Sequence, residues 1–204
     1  MQKVGVLSYG VGNIGSILNM LKRAGIQSLA ITEPSQLDQV DRIIFPGVGS
    51  FDGVKSKLVS SGLIPGLEQK VIQEKLPILG ICVGMQVMFD RSEEGAMSGL
   101  GWFSGKVVRF PPNQNIKIPH VGWDEIHWEQ NTELLDPFAR FYFTHSYYAV
   151  PADESIGMAK CNYGIDFAVA VKQDNIIAVQ FHPEKSHKNG MSFLHLFSSG
   201  ALDS

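Results

Sequence analysis

Cys82 lies in a local sequence that is typical of a catalytic nucleophile. It is the centre of the segment Gly-Ile-Cys-Val-Gly at residues 80–84, where a buried strand is predicted to turn sharply into a helix. Glycines on either side matter because the turn forces the central residue into a strained conformation in which neighbouring side chains would clash. Free amides at a helix start favour the thiolate form. Taken alone, the segment fits a nucleophile and a small buried cysteine between packing glycines equally well.

A thiol nucleophile needs a base, and His182 is the histidine best placed to be one. It follows a predicted strand and precedes Pro183 and Glu184. A carboxylate two residues on can orient the imidazole through one ring nitrogen and leave the other facing the thiol. The residues therefore predict a triad of Cys82, His182 and Glu184. The other histidines lack such a carboxylate and are expected to be surface or hydrogen-bonding residues: His120, His127, His145, His187 and His195.

Acyl transfer also needs amide groups that stabilise the developing negative charge. The amide of Val83, directly after the nucleophile, is one candidate. The segment Pro-Gly-Val-Gly at residues 46–49 offers a second, from Val48 or Gly49, because it ends a predicted strand and active sites of open parallel sheets collect at the carboxyl ends of strands. An ordinary turn is the alternative for this loop. Neither it nor the glycine pair at residues 10–12 completes a phosphate-binding motif, so no nucleotide site is expected.

The elements that must position these residues follow two patterns. In the first half, apolar runs alternate with segments of helical period, which is typical of a parallel sheet with helices on both faces. Strands are predicted at 3–8, 28–32, 42–45 and 78–81, and helices at 14–25 (with Asn13 as N-cap), at 66–75 and from Val83. Beyond Gly95, β segments are predicted at 106–110, 140–143, 167–171 and 176–181, followed by a helix at 189–197. We expect one α/β domain over residues 1–204 with a mixed, mostly parallel sheet.

Composition excludes several classes of protein. Apolar residues make up 44% and charged residues 18% of the 204 residues, which is typical of a globular chain and not of a disordered or coiled-coil one. A net charge of −3 gives nucleic-acid binding little support. No membrane span or signal peptide is recognisable, so a cytoplasmic protein is expected. Cys82 and Cys161 are expected to be reduced thiols, and no metal site or cofactor is expected.

The ordered motifs resemble those of the class I, or triad, glutamine amidotransferases. Residues 80–86, Gly-Ile-Cys-Val-Gly-Met-Gln, and residues 181–184, Phe-His-Pro-Glu, carry this resemblance, which extends over nearly the whole chain and implies a flavodoxin-like fold. Further segments are similar to the HisH family, the glutaminase subunits of imidazole glycerol phosphate synthase: Tyr-Gly-Val-Gly-Asn at 9–13, Pro-Gly-Val-Gly at 46–49, Pro-His-Val-Gly-Trp at 119–123 and Tyr-Phe-Thr-His-Ser-Tyr-Tyr at 142–148.

In that family, ammonia released from glutamine passes through a tunnel to a (βα)8-barrel cyclase subunit of a heterodimer. The resemblance implies Cys82 as nucleophile, His182 as general base and acid, and Glu184 as its orienting group. Residues implied to contact glutamine are Gly49, Gln86, Ser146 and Tyr147. Residues implied to face the cyclase are Asn13, Trp123 and Lys185, for which an N-cap, a core aromatic and a solvated charge are the alternatives. Low basal glutaminase activity is also implied, because the family's loop corresponding to 46–49 is misoriented until the partner is loaded.

Two residues depart from the usual family pattern. Ser8 stands where members usually have Asp before Tyr-Gly, and Asp124 where Asn is usual after Gly-Trp. Both lie near the expected partner face, so they open a second hypothesis for the partner. Residues 185–191 are similar to HisH-like paralogues of surface-polysaccharide gene clusters, which supply ammonia to a synthetase that forms acetamidino sugars. The intact triad disfavours a further alternative, a silent regulatory module, and Gln86 disfavours a cysteine peptidase.

Overall fold

The first half of the chain alternates strands with helices. The computed structural model describes residues 2–112, 116–129, 136 and 139–203. The elements of the first half are β1 (Lys3–Leu7), α1 (Ile14–Arg23), β2 (Gln27–Ile31), β3 (Arg42–Gly47), α2 (Phe51–Ser60), α3 (Ile64–Leu67), β4 (Ile78–Cys82) and α4 (Val83–Val87). A 3₁₀ turn, Pro34–Gln39, precedes β3, and a π-helical segment, Glu68–Gln73, continues α3.

The second half consists of short strands and one closing helix. The strands are β5 (Phe89–Ser92), β6 (Phe103–Arg109), β7 (His120–Glu125), β8 (His127–Trp128), β9 (Arg140–His145), β10 (Tyr147–Pro151), β11 (Gly157–Asn162), β12 (Asp166–Gln173) and β13 (Ile176–Val179). The helix is α5 (His187–Ser199), which ends at Gly200 in the left-handed conformation. Helix α1 packs against α5, and α2 packs against α4.

These strands form one large mixed sheet and a small separate one. The large sheet has the order β2-β1-β3-β4-β13-β12-β10-β6-β5, and β11 pairs with both β12 and β8. Strands β2, β1, β3, β4 and β13 are mutually parallel, whereas β12, β10 and β6 continue the sheet antiparallel. Strands β7 and β9 pair antiparallel outside this sheet. The α/β fold with a mixed sheet is as the sequence predicts.

The register of the central strands places the ends of three strands side by side. Gly47, at the end of β3, pairs with Cys82 at the end of β4, and Val179 of β13 pairs with Ile81. All residues of β3, β4 and β13 are buried, as expected for parallel strands covered on both faces. The carboxyl edge of this rigid centre therefore holds the loop after β3, the cysteine and the segment leading to His182.

Several local predictions differ from the structure. Asn13 is the N-cap residue of α1, as predicted, and its carbonyl accepts from the amide of Ile17, although its side chain makes no capping hydrogen bond. The helix predicted at 66–75 begins at Ile64, and the closing helix begins at His187 rather than at 189. Helix α2 and strands β5, β7, β8, β10 and β11 were not predicted. Among the described residues, no helix is both long and apolar enough to cross a membrane, and no cluster of acidic, histidine and cysteine side chains is suited to a metal.

Candidate active site

Cys82 occupies a strained turn between β4 and α4. Its backbone has φ 55° and ψ −115°, a conformation that costs a non-glycine residue free energy and is concentrated at functional sites. The turn is possible because Gly84 has no side chain: a Cβ atom there would lie 2.1 Å from the carbonyl oxygen of Phe45. A Cβ atom at Gly47 would likewise lie 2.4 Å from the amide nitrogen of Gly84. The end of β3 and the start of α4 therefore pack backbone to backbone beside the cysteine.

His182 is held in place by interactions of both its ring and its backbone. Its Nδ1 atom lies 2.9 Å from Oε1 of Glu184, and the two side chains are 2% and 1% exposed. The amide of His182 donates to the carbonyl of Tyr142, and the carbonyl of His182 accepts from the Ser186 hydroxyl. Its Nε2 atom is buried and makes no hydrogen bond with the described residues. This nitrogen is therefore available for proton transfer in the direction of Cys82.

The protonation of His182 is dominated by its negative neighbours. Burial lowers the pKa of His182, but the Cys82 thiolate and the Glu184 carboxylate together outweigh burial and raise the pKa to about 10. The second carboxylate oxygen of Glu184, Oε2, is buried without a partner among the described residues. A buried carboxylate of this kind requires a nearby positive charge. The arrangement favours an imidazolium between thiolate and carboxylate.

Two backbone segments line the pocket beside the cysteine. Val83 follows Cys82, and Val48 and Gly49 follow β3, with Gly49 in the left-handed region at φ 99°. Tyr9, after β1, supports this loop because its buried hydroxyl donates to the carbonyl of Pro46 at 2.5 Å. Burial raises the pKa of Tyr9, so the phenol remains a donor at all ordinary pH values. The amides of Val48 and Val83 are thus carried on adjacent, anchored segments.

One pocket of about 280 Å³ collects most of the residues that the sequence singles out. It is lined by Val48, Gly49, Cys82, Val83, Gln86, Thr144, His145, Ser146, Tyr147, His182 and Lys185. Glu184 lies outside the lining, behind the His182 ring. Thr144 and His145 were not assigned to the site from the sequence, although they belong to the same segment as Ser146 and Tyr147. The pocket can hold a small molecule beside the thiol.

Gln180 is a site residue that the sequence reasoning missed. It is fully buried, and its Nε2 atom donates to Sγ of Cys82 at 3.7 Å. Its Oε1 atom accepts from Nε2 of Gln86 at 2.9 Å, and the same Gln86 nitrogen donates to the carbonyl of Tyr147 at 3.1 Å. The sequence could have indicated this residue, because Gln180 is a polar residue at the end of an otherwise apolar strand and lies two residues before His182.

Two of the three residues expected to face a partner lie on one aromatic surface. The ring of Trp123 stacks on His187, with centroids 5.1 Å apart, and contacts the Tyr142 ring edge to face. Lys185 places its Nζ atom 5.2 Å from the centroid of Tyr142. Trp123 is half-buried, whereas Lys185 and His187 are exposed. The third residue, Asn13, is half-buried in the loop after β1.

Comparison with known proteins identifies the class to which this fold and site belong. The family model of class I glutamine amidotransferases matches residues 6–198, and the chain belongs to that family. The chain is 44% identical, over 94% of its length and 96% of the relative's, to "Imidazole glycerol phosphate synthase subunit HisH 2" of Pseudomonas aeruginosa. It is also 44% identical, over 96% of its length and 99% of the relative's, to the HisH subunit of Leptospira borgpetersenii.

Solved structures agree with this fold. A crystal structure of a glutamine amidotransferase superposes with a TM-score of 0.75 at 21% identity, covering 97% of this chain and 98% of the other. A chain from the structure of PurLQS from Thermotoga maritima superposes with a TM-score of 0.71 at 16% identity, covering 98% of this chain and 99% of the other. The flavodoxin-like α/β fold of the class is therefore the fold of this chain.

Proposed function

We propose that this chain is the glutaminase subunit of an imidazole glycerol phosphate synthase, formed by a single amidotransferase domain over residues 1–204. The observation that carries the proposal is identity of 44% to HisH subunits over nearly the full length of both chains. The pocket that contains Cys82 and His182 supports it at the level of chemistry. The proposed partner is a (βα)8-barrel cyclase in a cytoplasmic heterodimer, to which this chain passes ammonia.

In the proposed first half-reaction, the Cys82 thiolate attacks the side-chain amide carbon of glutamine. The oxygen of that amide becomes negative, and the amides of Val48 and Val83 stabilise it. When the carbon–nitrogen bond breaks, His182 gives its Nε2 proton to the departing nitrogen, and ammonia leaves. A glutamyl thioester remains on Cys82. Glu184 keeps the imidazole in the required orientation through Nδ1.

In the proposed second half-reaction, water attacks the thioester. His182, now neutral, accepts a proton from that water, and the same amides stabilise the second tetrahedral intermediate. Its collapse breaks the carbon–sulfur bond, which releases glutamate and restores the thiolate and imidazolium. Gly49, Gln86, Ser146 and Tyr147 are the proposed contacts that orient glutamine. No metal or cofactor takes part in this scheme.

A second candidate keeps the glutaminase chemistry and changes the partner to a synthetase that forms an acetamidino sugar. One observation favours it: Asp124, which stands where the family usually has Asn, lies 2.6 Å from Nε2 of His120, directly beside Trp123 of the proposed partner face. A changed residue at that place fits a changed partner surface.

The test is glutamine hydrolysis by the purified chain, alone and with the cyclase subunit of the same organism carrying its ribonucleotide ligand. The proposal predicts low activity alone and strong stimulation by the loaded cyclase. Activity that stays basal beside a folded, binding-competent cyclase would transfer the assignment to the sugar-modifying partner. The cyclase without its ligand is the matched control, because it separates docking from activation.

A further inference from the structure

A chain of hydrogen bonds outside the triad joins the protein surface to the pocket. Oδ2 of Asp124 lies 2.6 Å from Nε2 of His120, and Nδ1 of His120 lies 3.0 Å from Nε2 of His145. Nδ1 of His145 lies 2.8 Å from the carbonyl oxygen of Tyr147. Both histidines are buried, whereas the Asp124 side chain is 39% exposed. The chain therefore begins at solvent and ends in the pocket that contains Cys82.

The Tyr147 carbonyl is a junction between this chain and the nucleophile. It accepts from Nδ1 of His145 and also from Nε2 of Gln86. Gln86 in turn donates to Gln180, which donates to Sγ of Cys82. A change in how His145 holds the Tyr147 carbonyl therefore reaches the side chains that surround the thiol.

The three contacts of the chain need three hydrogens. A carbonyl oxygen and a carboxylate only accept, so each contact requires a hydrogen supplied from the histidine side or from a protonated acid. Two neutral imidazoles carry one hydrogen each, which is one too few. All three contacts can be hydrogen bonds only when the chain holds one extra proton.

Burial decides where that extra proton resides. Burial lowers the pKa of His145 to about 3, so His145 stays neutral and acts only through its choice of tautomer. The extra proton is therefore shared by His120 and Asp124. The ring of His120 lies between the rings of Tyr163 and Phe143, with centroids 3.9 and 4.7 Å away, an arrangement that favours a cation. Burial nevertheless lowers the pKa of His120, against the hydrogen bond and charge of Asp124.

Other charged or titratable groups lie against the chain in the described structure. Tyr163 stacks on His120, His182 acts on His145, and Cys161 lies near Asp124. The guanidinium of Arg140, on the paired strand β9, donates to the carbonyl of Trp123, the residue directly before Asp124. The Tyr163 hydroxyl donates to the carbonyl of Lys117. Burial, followed by the charges of Asp124 and Asp166, raises the pKa of Cys161 to about 12, so this thiol stays neutral. Asp124 is thus the member of the chain whose side chain reaches solvent.

We propose that Asp124, His120 and His145 form a proton-dependent positioning chain, in which the extra proton decides whether His145 holds the Tyr147 carbonyl. The proposal rests on the assignment of the pocket to glutamine. When the proton leaves, two hydrogens remain for three contacts. The ionised carboxylate is the strongest acceptor, so the two hydrogens occupy the contacts nearest to it. His145 then carries its hydrogen on Nε2, its bare Nδ1 faces the Tyr147 carbonyl, and that contact opens.

The variant that isolates this effect is Asp124→Asn. An amide of the same shape donates from Nδ2 to the bare Nε2 of His120, so two imidazole hydrogens satisfy the other two contacts without an extra proton. The assay is kcat/KM for glutamine hydrolysis by the full chain from about pH 5 to 8, expressed as wild type divided by Asp124→Asn so that titration of the triad cancels. The ratio is expected to fall about fivefold as pH rises, because one hydrogen bond opens in the wild type alone. Its midpoint is expected below 6.5, the ordinary pKa of histidine.

Two further measurements separate positioning from a merely structural role. Asp124→Ala has no carboxylate to attract hydrogens. Its kcat/KM divided by that of Asp124→Asn is therefore expected to stay constant over the same pH range. Nitrogen-15 spectra of labelled histidines should show Nδ1 of His145 losing its hydrogen over the same pH range in wild type and keeping it in Asp124→Asn. The proposal would be overturned if kcat/KM of wild type divided by that of Asp124→Asn did not change with pH. It would also be overturned if Nδ1 of His145 in wild type kept its hydrogen over the whole pH range.

The outcome also separates this proposal from the glutaminase assignment. If wild type and Asp124→Asn share one profile while Cys82→Ala is inactive, the positioning chain is refuted and the proposed function stands. If Cys82→Ala still hydrolyses glutamine, the proposed function is refuted, and the nitrogen-15 spectra still test the chain.

Discussion

Removal of the hydrogen bond from Tyr9 to Pro46 tests whether this bond anchors the loop after β3. Tyr9→Phe removes one hydroxyl from a side chain that is 6% exposed, and with it the hydrogen bond to the Pro46 carbonyl. Loss of a buried hydrogen bond of this kind costs about 1–2 kcal/mol of the free energy of unfolding. With a urea dependence of about 2 kcal/mol per molar, the unfolding midpoint should fall by about 0.5–1 M.

The same change should reduce catalysis, because Pro46 directly precedes the segment that carries Val48. We expect kcat for glutamine hydrolysis to fall by about fivefold as the loop samples other orientations. Tyr148→Phe is the matched control, since its ring packs on Phe110 and its hydroxyl makes no hydrogen bond with the described residues. Equal urea midpoints for Tyr9→Phe and wild type, or equal effects of the two substitutions, would refute the anchoring role.

The remaining predictions concern packing, pH and the partner. Gly84→Ala places a Cβ atom 2.1 Å from the Phe45 carbonyl, so it should destabilise the chain by about 3 kcal/mol, measured by urea unfolding. The pKa of His182 is raised from 6.5 to about 10 in the folded chain. Its contribution to the free energy of unfolding, measured by urea unfolding at several pH values, should therefore be complete below pH 6.5 and be lost as the pH rises through 10. Cys82→Ala removes the largest interaction that raises this pKa, and its stability should therefore depend less on pH in that range. Trp123→Ala should preserve basal hydrolysis and weaken partner-stimulated ammonia transfer, and unchanged transfer would place the partner elsewhere.

The central strands and the cysteine turn were predictable because their signals are local. Strands β3 and β4 are short apolar runs, and the glycines around Cys82 directly indicate the close packing that the turn needs. His182 and Glu184 are two residues apart, so their contact requires no knowledge of the fold. These features depend on backbone conformation and neighbouring residues alone.

The missed elements depend on partners that are distant in sequence. Strands β10 and β11 pair with β6, β12 and β8, and neither strand alternates regularly between buried and exposed residues. The chain from Asp124 to Tyr147 exists because β7 pairs with β9, which places His120 opposite His145. No spacing along the sequence indicates that pairing. Helix α2 is different, since Phe51, Val54 and Leu58 have helical spacing and could have indicated it.

Covalent capture of the nucleophile by a glutamine-mimicking electrophile, followed by peptide mass spectrometry, is the decisive test of the proposed glutaminase chemistry. Cys161 is the internal control, because it is also a buried free thiol. We expect one adduct, on Cys82, formed in proportion to the loss of glutamine hydrolysis, and no hydrolysis by Cys82→Ala above about one thousandth of wild type. An adduct on another residue that abolishes activity, or an active Cys82→Ala, would contradict the assignment of Cys82 as the nucleophile.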